Sequence, residues 1–304
     1  MLGKKLCKGD TIGIVAPAGI GNKDRIEKGI NKLKSLGFNI KLGKHIYDKW
    51  GYFAGEDKDR AEDINDMFSD EEVNMILCVR GGYGAVRLFP YLDFNKIKKH
   101  PKIFMGYSDI TILLDAFYEK TGLIAFHGPM LGDLENEDTL NSIMLTLCEG
   151  DKKYEIKNPE SILMLSNTDK CIEGRIAGGN LTLICSTLGT PYEMDTKNKI
   201  LFIEDVEEPP YKIDRMLAQL AMANKLQQCE GFILGQFTDC IDEGKESFFT
   251  LNEVLEQYIF SLNKPTLINF MAGHDNPKLI LPIGAKARLN CKSHVIEVME
   301  PVVK

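Results

Sequence analysis

Hydrophobic and polar positions in the first half of the chain fall into short runs that alternate between two periods. Residues 11–16 form a continuous apolar run of strand length, and residues 22–36 follow with Ile26, Ile30 and Leu33 on one helical face, Asn22 as N-cap and Gly37 as the stop. The same reading predicts a strand over 38–42, a helix over 57–68, a buried strand over 73–79, a short strand over 102–105 and a helix over 109–120 closed by Gly122. Strand followed by helix, several times over, argues a parallel sheet covered by helices. Between about residues 150 and 170 the texture turns polar and irregular. The boundary is placed there, giving an N-terminal domain over 1–150, a linker over 151–170 and a C-terminal domain over 171–304. In the second domain the pattern predicts strands over 172–176, 199–203 and 231–237, helices over 180–188, 213–226 and 251–262, and strands over 266–270, 286–290 and 294–298. The expected fold is therefore α/β: an N-terminal, mostly parallel sheet flanked by helices, and a second C-terminal α/β domain richer in β structure.

Bulk properties narrow the partners. A length of 304 residues suits two domains of ordinary size, and 44% hydrophobic with 27% charged residues is a globular composition. The formal charge of −7 weighs against a nucleic-acid or anionic-membrane partner, either of which demands a basic field. Apolar runs such as 75–79 fall far short of the roughly 20 residues of a membrane span. The apolar stretch near the N-terminus contains Pro17 and reads as a first strand in preference to a signal peptide, so a cytoplasmic location is expected. The 8 cysteines include no CxxC pair, as expected of reduced thiols in that compartment.

Three segments carry candidate chemistry: Met105-Gly106-Tyr107-Ser108-Asp109, Leu201-Phe202-Ile203-Glu204-Asp205 and Ala272-Gly273-His274-Asp275-Asn276-Pro277. A hydroxyl, a carboxylate and an imidazole at the ends of apolar strands are the parts that make serine a nucleophile at neutral pH. Each also has a plainer reading. Ser108 before a helix is a good N-cap, and Ile110 stands where a G-x-S-x-G elbow has its second glycine. Glu204 heads an acidic cluster that suits a solvated strand end. His274 shares its setting, a glycine-containing turn, with His127, while His45, His100 and His294 sit among polar neighbours. Arg80-Gly81-Gly82-Tyr83-Gly84 lacks both the dinucleotide and the Walker spacing, leaving an ordinary turn or an anion hole opposite Ser108. No HExxH or similar spacing suggests a metal.

Taken together, these segments resemble the LD-carboxypeptidase family of serine peptidases, which includes muramoyltetrapeptide carboxypeptidases and microcin-C immunity peptidases. The resemblance runs almost end to end: residues 9–17, Arg80-Gly81-Gly82-Tyr83-Gly84, Gly106-Tyr107-Ser108-Asp109, Gly178-Gly179-Asn180-Leu181, Glu204-Asp205-Val206, Tyr211-Lys212-Ile213-Asp214-Arg215, and Gly273-His274 before Leu281-Pro282-Ile283-Gly284. It implies a catalytic Ser108, His274 and Glu204, an oxyanion hole from the backbone amides of Gly82 and Asp109, no cofactor and no metal, and a cytoplasmic homodimer acting on murein tetrapeptides. The run from Glu204 to Tyr211 looks like the cell-wall-recycling branch, with Glu207 where that branch leads one to expect glycine. Two alternatives stay open: an immunity-type peptidase acting on peptidyl or aminoacyl nucleotides, and a non-catalytic α/β ligand-binding protein in which Ser108 is only a cap.

Overall fold

A computed structural model describes residues 1–241 and 249–304. The chain divides into two compact units, the first made of Met1–Lys152, Pro277–Gly284 and Pro301–Lys304, the second of Lys153–Asn276 and Ala285–Glu300.

The first unit opens with β1 (Thr11–Val15), α1 (Lys23–Ser35), β2 (Asn39–Leu42), α2 (Asp57–Ser69), β3 (Val73–Cys78), α3 (Phe94–Lys99), β4 (Ile103–Gly106), α4 (Thr111–Thr121), β5 (Ala125–His127) and α5 (Glu137–Ile143). Local chemistry sets these boundaries. The Asn22 side chain accepts from the Arg25 amide at 3.1 Å, a cap worth about 1 kcal/mol, and Ile26, Ile30 and Leu33 are the buried face of α1. The four central strands β1, β3, β4 and β5 pair in parallel, and between β1 and β3 the chain order of the sheet reverses, since β2 lies beyond β1 and β4 beyond β3. Loops that follow strands on either side of such a reversal border a crevice. Here they are the loops after Val15 and after Cys78. Edge-to-face rings fill the space behind the sheet, with Phe104 on β4 4.8 Å from Phe117 on α4, and Phe117 5.7 Å from Phe68 on α2.

The second unit runs through β6 (Tyr154–Ile156), β7 (Leu165–Ser166), β8 (Cys171–Asn180), α6 (Leu181–Ser186), β9 (Lys199–Val206), α7 (Pro210–Met222), α8 (Lys225–Gln228), β10 (Gly231–Thr238), α9 (Leu251–Tyr258) and β11 (Thr266–Ile268). The chain then gives β12 (Leu281–Ile283) to the first unit, as an antiparallel edge strand on β5, and closes the second sheet with β13 (Lys286–Asn290) and β14 (Val295–Val298). Strands β8 to β11 pair in parallel and the remaining pairings are antiparallel, so this sheet is mixed. Leu201 and Ile203 on β9 join one apolar cluster with Leu181, Ile213, Leu217 and Val254 from the helices. Strand alternation turns Phe202 and Glu204 to the opposite face.

The expected α/β architecture, with its mostly parallel first sheet, is the architecture present. The linker expected over 151–170 is not: that stretch carries β6 and β7, both members of the second sheet. Nor does the second domain run unbroken to residue 304, because β12 and the last four residues belong to the first unit. For β6, β7 and β12 the cause is one, their two-to-three-residue length, too short for a period to register. His127, expected in a turn, is the last residue of β5 and is buried.

Candidate active site

Ser108 comes just after β4, with only Tyr107 between. The helix expected from residue 109 starts at Thr111, behind a single 3₁₀ turn over Ser108–Ile110. Ser108 is therefore not the N-cap of α4, a place taken by Ile110, and its backbone sits at φ 62°. A non-glycine residue there stores roughly 1–2 kcal/mol of strain. The glycine loop after β3 closes on this turn. A Cβ at Gly81 would fall 2.8 Å from the Ser108 Cβ, 2.9 Å from its Oγ and 3.3 Å from the Asp109 amide nitrogen, so only glycine lets the loop come this near.

Asp109 ties the same two segments together. Its buried carboxylate accepts the Ala85 amide at 2.8 Å, while its second oxygen has no hydrogen-bond partner among the described residues. Burial raises the pKa of this carboxyl, against the pull of the Ala85 hydrogen bond and the Arg60 charge. Arg60, also buried, donates to the carbonyls of Pro17, Gly55 and Gly84 and pairs with Asp57 at 2.5 Å. The loops after β1 and β3 are thus fixed from beneath by one guanidinium.

The second unit brings together the carboxylate and the imidazole. His274 Nδ1 lies 2.9 Å from Glu204 Oε2, with the Glu204 side chain 0% and the His274 side chain 18% exposed. The solvated strand end that Glu204's neighbours suggested is not what forms: Glu204 is inside β9 and fully buried. Burial raises its pKa, opposed by the His274 hydrogen bond. Gly273 permits the approach, since a Cβ there would lie 3.2 Å from Glu204 Oε2 and 3.0 Å from Gln236 Oε1.

Asp205, the next residue, does different work on the other face of the strand. It accepts from Asn180 Nδ2 (2.9 Å), the Thr182 amide (3.0 Å), Thr182 Oγ1 (2.9 Å) and the Val206 amide (2.9 Å), locking the N-terminus of α6 to β9. Asn180, level with Glu204 in the β8–β9 register, also caps α6 through the Leu183 amide at 3.2 Å. Gln236 Oε1 accepts the Asp275 amide at 3.2 Å and Thr238 Oγ1 donates to the Asp275 carboxylate at 2.9 Å, so the end of β10 grips the His274 loop. Sequence reasoning gave these braces no role. Its one available signal was Gln236, a lone amide in the apolar run 231–237.

Elsewhere in the first unit the ligand atoms of His45, Asp48 and Asp59 lie within 4.8 Å of one another. His45 Nδ1 is already hydrogen-bonded to Asp48 at 2.8 Å, and the group has no part in the geometry described above. Among the described residues no helix is long and apolar enough to cross a membrane.

Residues 12–128 match the model of the LD-carboxypeptidase N-terminal domain, and residues 173–289 that of the LD-carboxypeptidase C-terminal domain. The chain belongs to the LD-carboxypeptidase family. It is a serine-type carboxypeptidase. The probable murein peptide carboxypeptidase of Bacillus subtilis (strain 168) is 43% identical to it over 97% of this chain and 93% of that protein. Among solved structures, MccF in complex with glutamyl sulfamoyl guanosine superposes with a TM-score of 0.92 at 27% identity, covering 100% of this chain and 99% of that one. The muramoyltetrapeptide carboxypeptidase from Oxalobacter formigenes gives 0.84 at 30% identity, over 95% and 99%.

Proposed function

We propose that this LD-carboxypeptidase removes the terminal D-alanine from murein tetrapeptides, in the cytoplasm and as a homodimer, using Ser108 as nucleophile, His274 as general base and Glu204 as its orienting partner. The observation that carries the mechanism is the contact between the buried Glu204 carboxylate and His274 Nδ1 at 2.9 Å. A carboxylate at Nδ1 fixes the proton there and leaves Nε2 as the basic nitrogen. Ser108 Oγ attacks the carbonyl between the third residue and D-alanine while Nε2 takes the hydroxyl proton. The amides of Gly82 and Asp109 hold the resulting oxyanion. Collapse breaks the C–N bond, Nε2 returns the proton to the leaving amine, and D-alanine departs. A water then repeats the sequence on the acyl-serine, releasing the tripeptide and restoring Ser108.

Similarity to the Bacillus subtilis murein peptide carboxypeptidase supports the substrate class. Similarity to MccF, solved with an aminoacyl nucleotide analogue, favours a second reading, hydrolysis of aminoacyl or peptidyl nucleotide conjugates. Mass spectrometry of the purified protein on a panel of tetrapeptides and one such conjugate separates the two. Release of D-alanine from the tetrapeptides, with the conjugate intact, is expected; cleavage of the conjugate alone would overturn the murein assignment.

A further inference from the structure

Next to the glycine loop stands a group of aromatic rings that the proposed chemistry does not use. Trp50 and Phe53 exchange both backbone hydrogen bonds at 3.0 Å, closing a tight loop after β2. Phe53 bridges antiparallel to Gly19, whose amide donates to the Gly81 carbonyl at 3.2 Å, so a backbone path fastens this loop to the glycine loop, beside the Arg60 bonds to Gly55 and Gly84. Phe53 is buried at 4% exposure and serves as a foundation, while Trp50, Tyr52 and Tyr83 stand out at 44%, 64% and 50%. Ring centroids lie 5.7 Å apart for Trp50–Phe53, 4.4 Å for Tyr52–Phe53, 5.6 Å for Phe53–Tyr83 and 5.8 Å for Tyr52–Tyr83. The Arg87 guanidinium covers Phe53 at 4.8 Å and Trp50 at 5.3 Å, and Asp57 holds it at 2.8 Å.

Three large rings kept exposed around one buried phenylalanine give the fold little; exposed apolar surface of this kind marks binding sites. Its place in the chain says what it adjoins. Tyr83 directly follows Gly82, so the platform continues the surface from which the oxyanion-hole amide is offered. The shape argues for a particular ligand. Tyr52 is tilted 56° from Phe53 and 44° from Tyr83, and Tyr83 36° from Phe53; Trp50 alone lies near parallel to a neighbour, at 28°, and that neighbour is the buried Phe53, so the exposed rings make facets and not the parallel-walled slot that a flat base would enter. A pyranose ring presents C–H faces to such facets, and its hydroxyl and amide groups would meet the Tyr52 and Tyr83 phenols and the part-exposed Arg87 at the rim.

We propose that Trp50, Tyr52 and Tyr83 form a sugar subsite that holds the muramoyl ring of a murein peptide substrate; this rests on the murein reading above. The sugar takes no part in the bond cut, so a contact to it that is equal in ground and transition states lowers KM and leaves kcat unchanged. The test compares the free tetrapeptide with the same peptide carrying its muramoyl sugar, by D-alanine release, in the wild type, Tyr52→Ala, Tyr52→Phe and Trp50→Ala. The wild type is expected to show a KM about tenfold lower for the sugar-bearing substrate, equivalent to about 1.4 kcal/mol of added binding. Tyr52→Ala and Trp50→Ala should erase most of that advantage at unchanged kcat and leave the free peptide alone, whereas Tyr52→Phe should keep it. A wild type indifferent to the sugar, or variants that lose both substrates equally or neither, would overturn the subsite. A wild type that hydrolyses neither substrate would instead sink the murein reading on which the subsite depends. Tyr52→Ala selectively weakening an aminoacyl nucleotide in place of the sugar substrate would reassign the platform to a nucleobase.

Discussion

The turn after β4 and the end of β9 face the same task, keeping one polar group in place at the edge of an apolar sheet, and they meet it in opposite ways. Ser108 is held by its backbone: φ is 62°, Gly81 presses against it, and the side chain itself is only half-buried. Glu204 lies within a strand and is held by what surrounds it: no exposure, a Cβ-less Gly273 alongside, and His274 at 2.9 Å. The difference suits the roles proposed. A nucleophile must be aimed and yet left free to move its proton and form a bond, so its constraint belongs in the main chain. An orienting carboxylate must be immobile and screened from water, so its constraint belongs in the packing. Burial has a consequence of its own, because removing the imidazole leaves Glu204 as a buried group without that partner, which is more costly than never having formed the pair.

The sharpest way to break this comparison is at the serine. Ser108→Ala should lower kcat by about ten-thousandfold or more and scarcely move the melting temperature, since backbone and not the hydroxyl holds the turn. A variant keeping a tenth of wild-type kcat would put the nucleophile elsewhere. Next in size, Glu204→Gln should cost about a thousandfold or more in kcat at nearly constant KM. His274→Ala should cost a similar factor, and the double variant should be scarcely worse than either, as members of a triad act together; losses that multiply would deny the pair a shared role.

Two neighbours sharpen the contrast at that strand end. Asp205→Asn, one residue on, should lower kcat less than tenfold but reduce stability by about 1–3 kcal/mol in a denaturant titration, because it disturbs buried hydrogen bonds and not the imidazole. His127→Ala should likewise register in stability and leave kcat within a few-fold, given its burial in β5; loss of kcat matching that of His274→Ala would move the base to His127. On the serine side, Gly81→Ala should reduce kcat by about 10- to 100-fold, since its methyl would contact the Ser108 side chain and displace the turn by a fraction of an ångström. Unchanged kinetics would show that the glycine loop does not set the position of the serine.

The smallest effect is expected at Glu207, where the resemblance calls for glycine. Its backbone adopts φ 56°, the conformation glycine takes without strain, so the requirement is met here by a strained glutamate. Glu207→Gly should raise stability by about 0.5 kcal/mol, the relief of a left-handed residue less the added freedom of the unfolded chain. A measurable loss of stability would show that the exposed side chain has a contact of its own.

Much of the fold was legible from local chemistry. The apolar runs that became β1, β3, β9 and β10, the helical spacing of Ile26, Ile30 and Leu33, and the Asn22 cap lie within a few residues of where the pattern puts them. Of the candidate site, the residue types could be read as well, but not their exact places: Ser108 comes after β4 with Tyr107 between, Glu204 lies inside β9, and His274 falls well beyond the end of β11. Nor could the three-dimensional meaning of their neighbours be read. Glu204, Asp205, Glu207 and Glu208 look alike as an acidic run, yet one touches an imidazole, the next locks a helix, and the third lies exposed at φ 56°. Alternation along β9 separates the first two, and it becomes visible only once both faces of the sheet are covered.

The sequence alone determined whatever depends on residues within a turn or two of one another: the period of each apolar run, the caps, the glycine stops, and the order in which hydroxyl, carboxylate and imidazole arrive. The tertiary structure decided what depends on distant partners. It assigned β12 to the first sheet and β6 and β7 to the second, buried Glu204 beside a loop 70 residues further on, and set the Ser108 turn against Gly81. The reason is physical. Capping and periodicity act through bonds and contacts that the local chain itself supplies, whereas burial, close approach and a pKa raised by desolvation exist only when segments remote in sequence have excluded the water between them.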